Sequence, residues 1–229
     1  MRVRQKSQFE LVRREKKGWE LLKRAAEENS NQFARIHGIW GIGQLAAKDP
    51  SLAIPLVSLL KDSDTEIIAQ AAKVLGDIRY KAAADQFIPL LEHENPRVKF
   101  FAAQALGRLE FSGAIEPLLK MIEKNNDEDL YIRHAGVLAL SRIGKEEPIV
   151  ALANHPNDVV RTAAVLVLRR LKSEKVALFL KDKNELIATD AARAINDDLS
   201  IEGALPELAT VLNEARFTSE AFRELMMSP

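Results

Sequence analysis

Apolar residues recur along this chain at two periods, one nested in the other. Seven segments align without gaps: VRQKSQFELVRR (3–14), ARIHGIWGIGQL (34–45), IIAQAAKVLGDI (67–78), VKFFAAQALGRL (98–109), IRHAGVLALSRI (132–143), VRTAAVLVLRRL (160–171) and IATDAARAINDD (187–198). Their first residues, here called anchors, lie 31, 33, 31, 34, 28 and 27 residues apart. Within each segment, positions 0, 4, 5 and 8 from the anchor fall on one helical stripe. Position 4 is always small (Ser7, Gly38, Ala71, Ala102, Gly136, Ala164, Ala191), which suits a close helix crossing. Position 8 is always a branched aliphatic (Leu11, Ile42, Leu75, Leu106, Leu140, Leu168, Ile195). The pattern predicts helices near 3–14, 34–46, 66–79, 97–109, 131–143, 159–171 and 186–197.

Three residues ahead of six anchors stand Asn31, Asp64, Asn95, Asp129, Asn157 and Asn184. These are predicted helix N-caps, whose side chains accept otherwise unpaired backbone N–H groups. Between the strong helices run shorter apolar stretches: LAIPLVSLL (52–60), ADQFIPLLEH (84–93), AIEPLLKMI (114–122), EEPIVALA (146–153), EKVALFL (174–180) and ALPELATVL (204–212). Pro55, Pro89, Pro117, Pro148 and Pro206 mark where these stretches begin, since proline is tolerated in a first helical turn. GWELLKRAAEE (18–28) is the first of this shorter kind. The unit is therefore helix, turn, helix in about 30 residues.

The pattern IPLL…D/N-x-x-V-R-x-x-A-A-x-A-L-G resembles HEAT repeats, in the short form named after phycobilisome-lyase proteins. The resemblance implies an all-α, right-handed α-α superhelix of six to seven two-helix repeats, with the second helices on its concave face. ARIHGIWGIGQLA (34–46) and DAARAINDDLSIEGALPELA (190–209) also resemble the HEAT segment of large bacterial exported proteins, where it lies between a sugar-dehydrogenase-like propeller and a haem-binding domain. That narrower resemblance implies one HEAT-like domain over 1–229, excised from a longer chain whose neighbours carry any redox chemistry. The phase agrees with excision: the first repeat lacks its first helix, and RFTSEAFRELMMSP (216–229) makes a poor last repeat, with Glu214 in the cap position before Phe217. Residues 1–24 hold nine basic and three acidic side chains, and residues 195–229 hold two and seven. Ends of opposite sign favour head-to-tail self-association.

Composition narrows the function. Lys plus Arg and Asp plus Glu both total 33 among 229 residues. A neutral chain has no general electrostatic grip on nucleic acid. The absence of cysteine excludes disulfides, thiolate zinc sites and covalent haem attachment within this sequence. No apolar run reaches the 18 residues of a membrane span, so no membrane insertion is expected. The sequence does not assign a compartment.

Candidate chemistry is sparse. Gly38, Gly41 and Gly43 suggest a phosphate loop, but such a loop follows a strand and opens a helix. These glycines fall inside a predicted helix. The basic column at position 1 (Arg4, Arg35, Lys99, Arg133, Arg161) reads as an anion ladder or, more simply, as structural forks that tie repeat to repeat. His37, His93, His134 and His155 form no ladder. One family of HEAT-like enzymes, the deoxyhypusine hydroxylases, binds iron through repeated His-Glu pairs, and His93-Glu94 alone does not make that site. The alternating acids of KDSDTE (61–66) lack the length and glycine of an EF-hand loop. No catalytic, cofactor-binding or metal set emerges. A surface does: Phe9, Trp40, Leu138 and Leu166 at position 6, with His37, Phe100 and Phe101 near them, form a candidate partner-contact face. The expected function is a non-catalytic protein–protein or interdomain scaffold. The alternative is an accessory or catalytic HEAT-like protein that binds a tetrapyrrole or nucleic acid, in the manner of a lyase or a glycosylase.

Overall fold

A computed structural model describes residues 2–197 and 200–213. Glu214, Phe217 and the rest of the weak last repeat lie outside the described residues. Thirteen α-helices and no strands occur among the described residues. They are α1 (Arg2–Arg13), α2 (Lys16–Glu28), α3 (Gln32–Ala46), α4 (Ile54–Ser58), α5 (Thr65–Asp77), α6 (Ala84–Phe87), α7 (Pro96–Arg108), α8 (Ile115–Asn125), α9 (Leu130–Ile143), α10 (Glu147–Val150), α11 (Asp158–Leu171), α12 (Glu185–Ile195) and α13 (Leu205–Asn213). The chain divides into two compact units, residues 1–118 and 119–229.

In unit 1 the strong helices α1, α3, α5 and α7 pack in that order. Their core is the predicted stripe: Ile42, Ile67, Ala71, Leu75, Val98, Ala102 and Leu106 are fully buried. Glycine permits the closest approach. A Cβ on Gly38 would stand 2.7 Å from the backbone of Ala26 and of Leu22 in α2. In unit 2, α11 packs against α9 on one side and α12 on the other. Their stripe, including Ile132, Leu140, Val160, Ala164, Leu168, Ile187 and Ile195, is buried.

The first helices differ from simple expectation. With Pro117 in the opening turn of α8 and Pro206 in that of α13, the helix runs on. Pro55 is likewise in an opening turn, as the second residue of α4, yet α4 ends at Ser58 and passes into a 3₁₀ turn, so the place of the proline alone does not decide the length of the helix. Residues 50–61 become 3₁₀, α4 and 3₁₀ around Pro55, and residues 81–92 do the same with α6 before Pro89. At Pro89, which opens the 3₁₀ turn after α6, the missing N–H removes the i→i−4 bond that would have continued the helix.

Candidate functional site

α1, α3 and α5 enclose a groove of about 570 Å³ in unit 1. Phe9, His37, Trp40, Val74 and Ile78 supply its apolar and aromatic wall, and Gln5, Gln8, Gln44, Lys73 and Asp77 its polar edge. His37 and Trp40 meet edge to face, with ring centroids 5.1 Å apart. His37 Nδ1 lies 2.7 Å from Gln8 Oε1, and the Gln8 amide nitrogen donates onward to Gln44 Oε1 at 3.2 Å. The imidazole is therefore the donor in this contact. Burial, followed by the nearby charge of Arg4, pushes the His37 pKa down, so a neutral ring faces the groove.

Trp40 is fixed from the other side. Its indole N–H donates to Gln70 Oε1 at 2.8 Å. Gln70 is 5% exposed and donates to Glu66 Oε1 at 2.7 Å. Glu66 accepts from Arg97 Nε at 2.8 Å and Nη2 at 3.2 Å. Arg97 in turn lies 5.0 Å over the Phe101 ring, and Phe101 meets Phe100 edge to face at 5.4 Å. One chain of contacts thus runs from α3 through α5 to α7.

The structure gathers only part of the predicted contact face. Phe9, His37 and Trp40 share the groove, whereas Phe100 and Phe101 pair on α7. In unit 2, Leu166 lines a separate valley with Val137, and Leu138 is half-buried. Phe9 is 50% exposed, and the other six are half-buried under neighbouring side chains.

The position-1 bases do not act as one uniform ladder. Arg35 donates to both Asp62 oxygens at 3.1 and 2.5 Å and to the Ala26 carbonyl at 2.8 Å. Arg161 does the equivalent with Asp182, at 2.7 and 3.0 Å, and with the His155 carbonyl at 2.7 Å. Arg133 instead reaches back to Asp127 at 2.6 Å, ahead of its own helix. Arg4 stacks 5.1 Å over Phe33, and Lys99 forms no ion pair among the described residues. The reason lies five residues ahead of each following anchor. Asp62 and Asp182 stand there for Arg35 and Arg161, but Asn29 and His155 stand there for Arg4 and Arg133. Those two arginines find no carboxylate at that place.

The same column has a second duty that sequence reasoning missed. Asn29, Asp62, His93, His155 and Asp182 each accept the backbone N–H of the capping residue two positions on, at 2.8–3.2 Å. Imidazole Nδ1 here replaces the Asx oxygen. The signal was available as a run of side-chain acceptors at one offset, and it accounts for two of the four histidines. The cap side chains of Asn31, Asp64, Asn95, Asp129, Asn157 and Asn184 then accept first-turn N–H groups of α3, α5, α7, α9, α11 and α12 at 2.8–3.1 Å. Asp62 and Asp64 of the acidic turn are thus engaged in pairing and capping. No group of three or more metal-ligating side chains occurs among the described residues.

Known proteins agree with this architecture. HEAT repeats match residues 53–141 and 84–169, together more than half of the chain. No curated protein matches it. Among solved structures, the complex of CpcE and CpcF of phycocyanin lyase from Nostoc sp. PCC7120 aligns at TM-score 0.55 and 20% identity, covering 91% of this chain and 92% of that one. The archaeal HEAT-like repeats protein from Thermococcus onnurineus NA1 aligns at TM-score 0.54 and 18% identity, covering 90% and 92%. At such identities these likenesses concern the fold. With its family match, its paired helices and its capped turns, the chain belongs to the HEAT-repeat family.

Proposed function

We propose that the protein is a non-catalytic scaffold that binds another protein, or a neighbouring domain of a longer chain, through the groove of α1, α3 and α5. One observation carries this reading. Phe9, half exposed, stands at a groove whose wall is aromatic and aliphatic and whose edge is mostly uncharged amide. Such a surface suits an apolar side chain flanked by peptide backbone, because amides both donate and accept while the aromatics cover the anchor. The similar phycocyanin lyase structure is a complex of CpcE and CpcF, in which a related fold meets another protein.

Selection of displayed random peptides on the intact chain tests it. Enriched peptides are expected to share an apolar anchor and to lose about tenfold or more in affinity against Phe9→Ser, the scale of an interface anchor. They should also change Trp40 emission in a Trp19→Phe background. Peptides that bind wild type and Phe9→Ser equally would sink the reading.

A second reading is favoured by the neutral His37 beside Trp40 in a groove of this volume. An open-chain tetrapyrrole can stack on the indole and hydrogen-bond to the glutamines. A shifted visible band on adding bilin, abolished by Trp40→Ala, would replace the pure scaffold with a tetrapyrrole-binding accessory role. An unshifted spectrum removes this alternative.

A further inference from the structure

Unit 2 presents the same columns of its second helices with different chemistry. Leu130, Arg133, His134 and Val137 fall at i, i+3, i+4 and i+7 on one face of α9. Leu166, Arg169 and Arg170 fall at i, i+3 and i+4 on α11. Together these seven line a valley of about 290 Å³. Three are arginines, one is a histidine, three are aliphatic, and none is acidic. The groove in unit 1, by contrast, carries both Lys73 and Asp77 among glutamines.

We propose that this valley is a second docking site, which receives an acidic, leucine-bearing peptide segment of a partner protein. Arg170 and His134 are exposed and make no ion pair among the described residues. Arg169 is held by Asp197 through Nη2, yet its Nε is buried and has no hydrogen-bond partner. Arg133 spends Nη1 on Asp127. Arg133 and Arg169 are thereby held by carboxylates, and Arg170 is the exposed guanidinium left to meet an incoming anion.

The apolar members decide the class of anion. Leu130 is 59% exposed, and Tyr131 beside it is 75% exposed. An inorganic anion would satisfy the arginines and leave Leu130 and the half-buried Leu166 uncovered, Val137 being buried beneath them. A peptide with carboxylates beside aliphatic side chains satisfies both halves. The volume sits at the floor of the range for small-molecule pockets, about 300–1,000 Å³, which suits a few side chains rather than a cofactor. The site does not depend on the groove at Trp40 and stands or falls separately.

The test uses the whole chain and a fluorescent peptide of repeated Leu-Glu-Glu, followed by anisotropy at low salt. Binding is expected to weaken about tenfold or more with Arg170→Glu, and similarly with added salt, because the charges at the rim are screened. Replacing every glutamate of the peptide by glutamine should abolish it. Phe9→Ser should leave it unchanged. Arg170 is exposed, and an unaltered circular dichroism spectrum for Arg170→Glu confirms that the fold is kept. Absent binding, equal binding of the glutamine peptide, or indifference to Arg170→Glu would each overturn the proposal. So would saturation by inorganic phosphate alone, or tighter binding of a single-stranded oligonucleotide of the same length.

Discussion

Arg161 and Asp182 form a two-pronged pair in unit 2, with N–O distances of 2.7 and 3.0 Å and side chains only 2% and 3% exposed. The pair joins the first turn of α11 to the turn before α12. Arg161 also donates to Asp158 at 2.7 Å and to the His155 carbonyl at 2.7 Å. Asp182 caps the N–H of Asn184 at 2.8 Å. One buried guanidinium therefore connects two consecutive turns, and Asp182 raises its pKa further.

Removing one member of this pair leaves the other charged and buried. Arg161→Met leaves Asp182 buried without its arginine and is expected to lower stability by about 3 kcal/mol, whereas Asp182→Asn leaves Arg161 its bond to Asp158 and should cost about 1–2 kcal/mol. The Asn variant keeps an oxygen for Asn184, so its loss reports the charge rather than the turn. Arg161→Met combined with Asp182→Asn should cost less than the two losses added together. Urea melts of the three variants measure this, and simple additivity would show that the pair is not coupled.

Arg35 and Asp62 repeat the arrangement in unit 1, with side chains 14% and 13% exposed. The Arg35 guanidinium, more than any other neighbour, holds the Asp62 carboxyl below its ordinary value of 3.8. A depressed carboxyl stabilises the fold fully above its unfolded value and loses that contribution as pH falls through the folded one. Asp62→Asn should therefore be less stable than wild type at neutral pH, by about 1–2 kcal/mol. The gap should close below about pH 4. Thermal melts between neutral and acidic pH measure it, and a gap that stays constant with pH would remove the ion pair as its cause.

What was legible in the sequence was local. A 3.6-residue stripe, a small residue at position 4 and an Asn or Asp cap act within one helix, so they can be read one segment at a time. The ends of the same helices were less legible. Arg79, Glu110 and Lys172 adopt φ of 53°, 54° and 55° at one column, where Gly144 has 69°. Only the glycine announces a left-handed C-terminus. The others are held there by bonds from Tyr80, Phe111 and Ser173 N–H to Leu75, Leu106 and Leu168 carbonyls. The candidate site was legible only in part, because exposure at position 6 depends on the neighbouring repeat. Trp40 is half covered because Gln70 stands across from it on α5, and Phe9 stays open at 50%. Arg133 pairs backward because the next turn offers His155 instead of an aspartate. These are relations between segments, which no single segment displays.

Gly38 and Gly41 separate two ways of crowding the helix that presents Trp40. A Cβ on Gly38 would meet backbone atoms, Ala26 N and Leu22 O, at 2.7 Å. A Cβ on Gly41 would meet the Leu22 methyl groups at 2.5 and 2.9 Å. A leucine tip can rotate away, whereas a packed helix backbone must translate. Gly38→Ala is therefore expected to cost about 2–3 kcal/mol, and Gly41→Ala about 1 kcal/mol or less, since alanine also favours the helix. The consequence extends to the groove. Pushing α3 off α2 moves Trp40 relative to Gln70 and lengthens a 2.8 Å bond. In a Trp19→Phe background, Gly38→Ala should shift the Trp40 emission maximum and Gly41→Ala should not. Equal melting temperatures and equal emission in the two variants would show that the backbone contact at Gly38 does not set the position of α3.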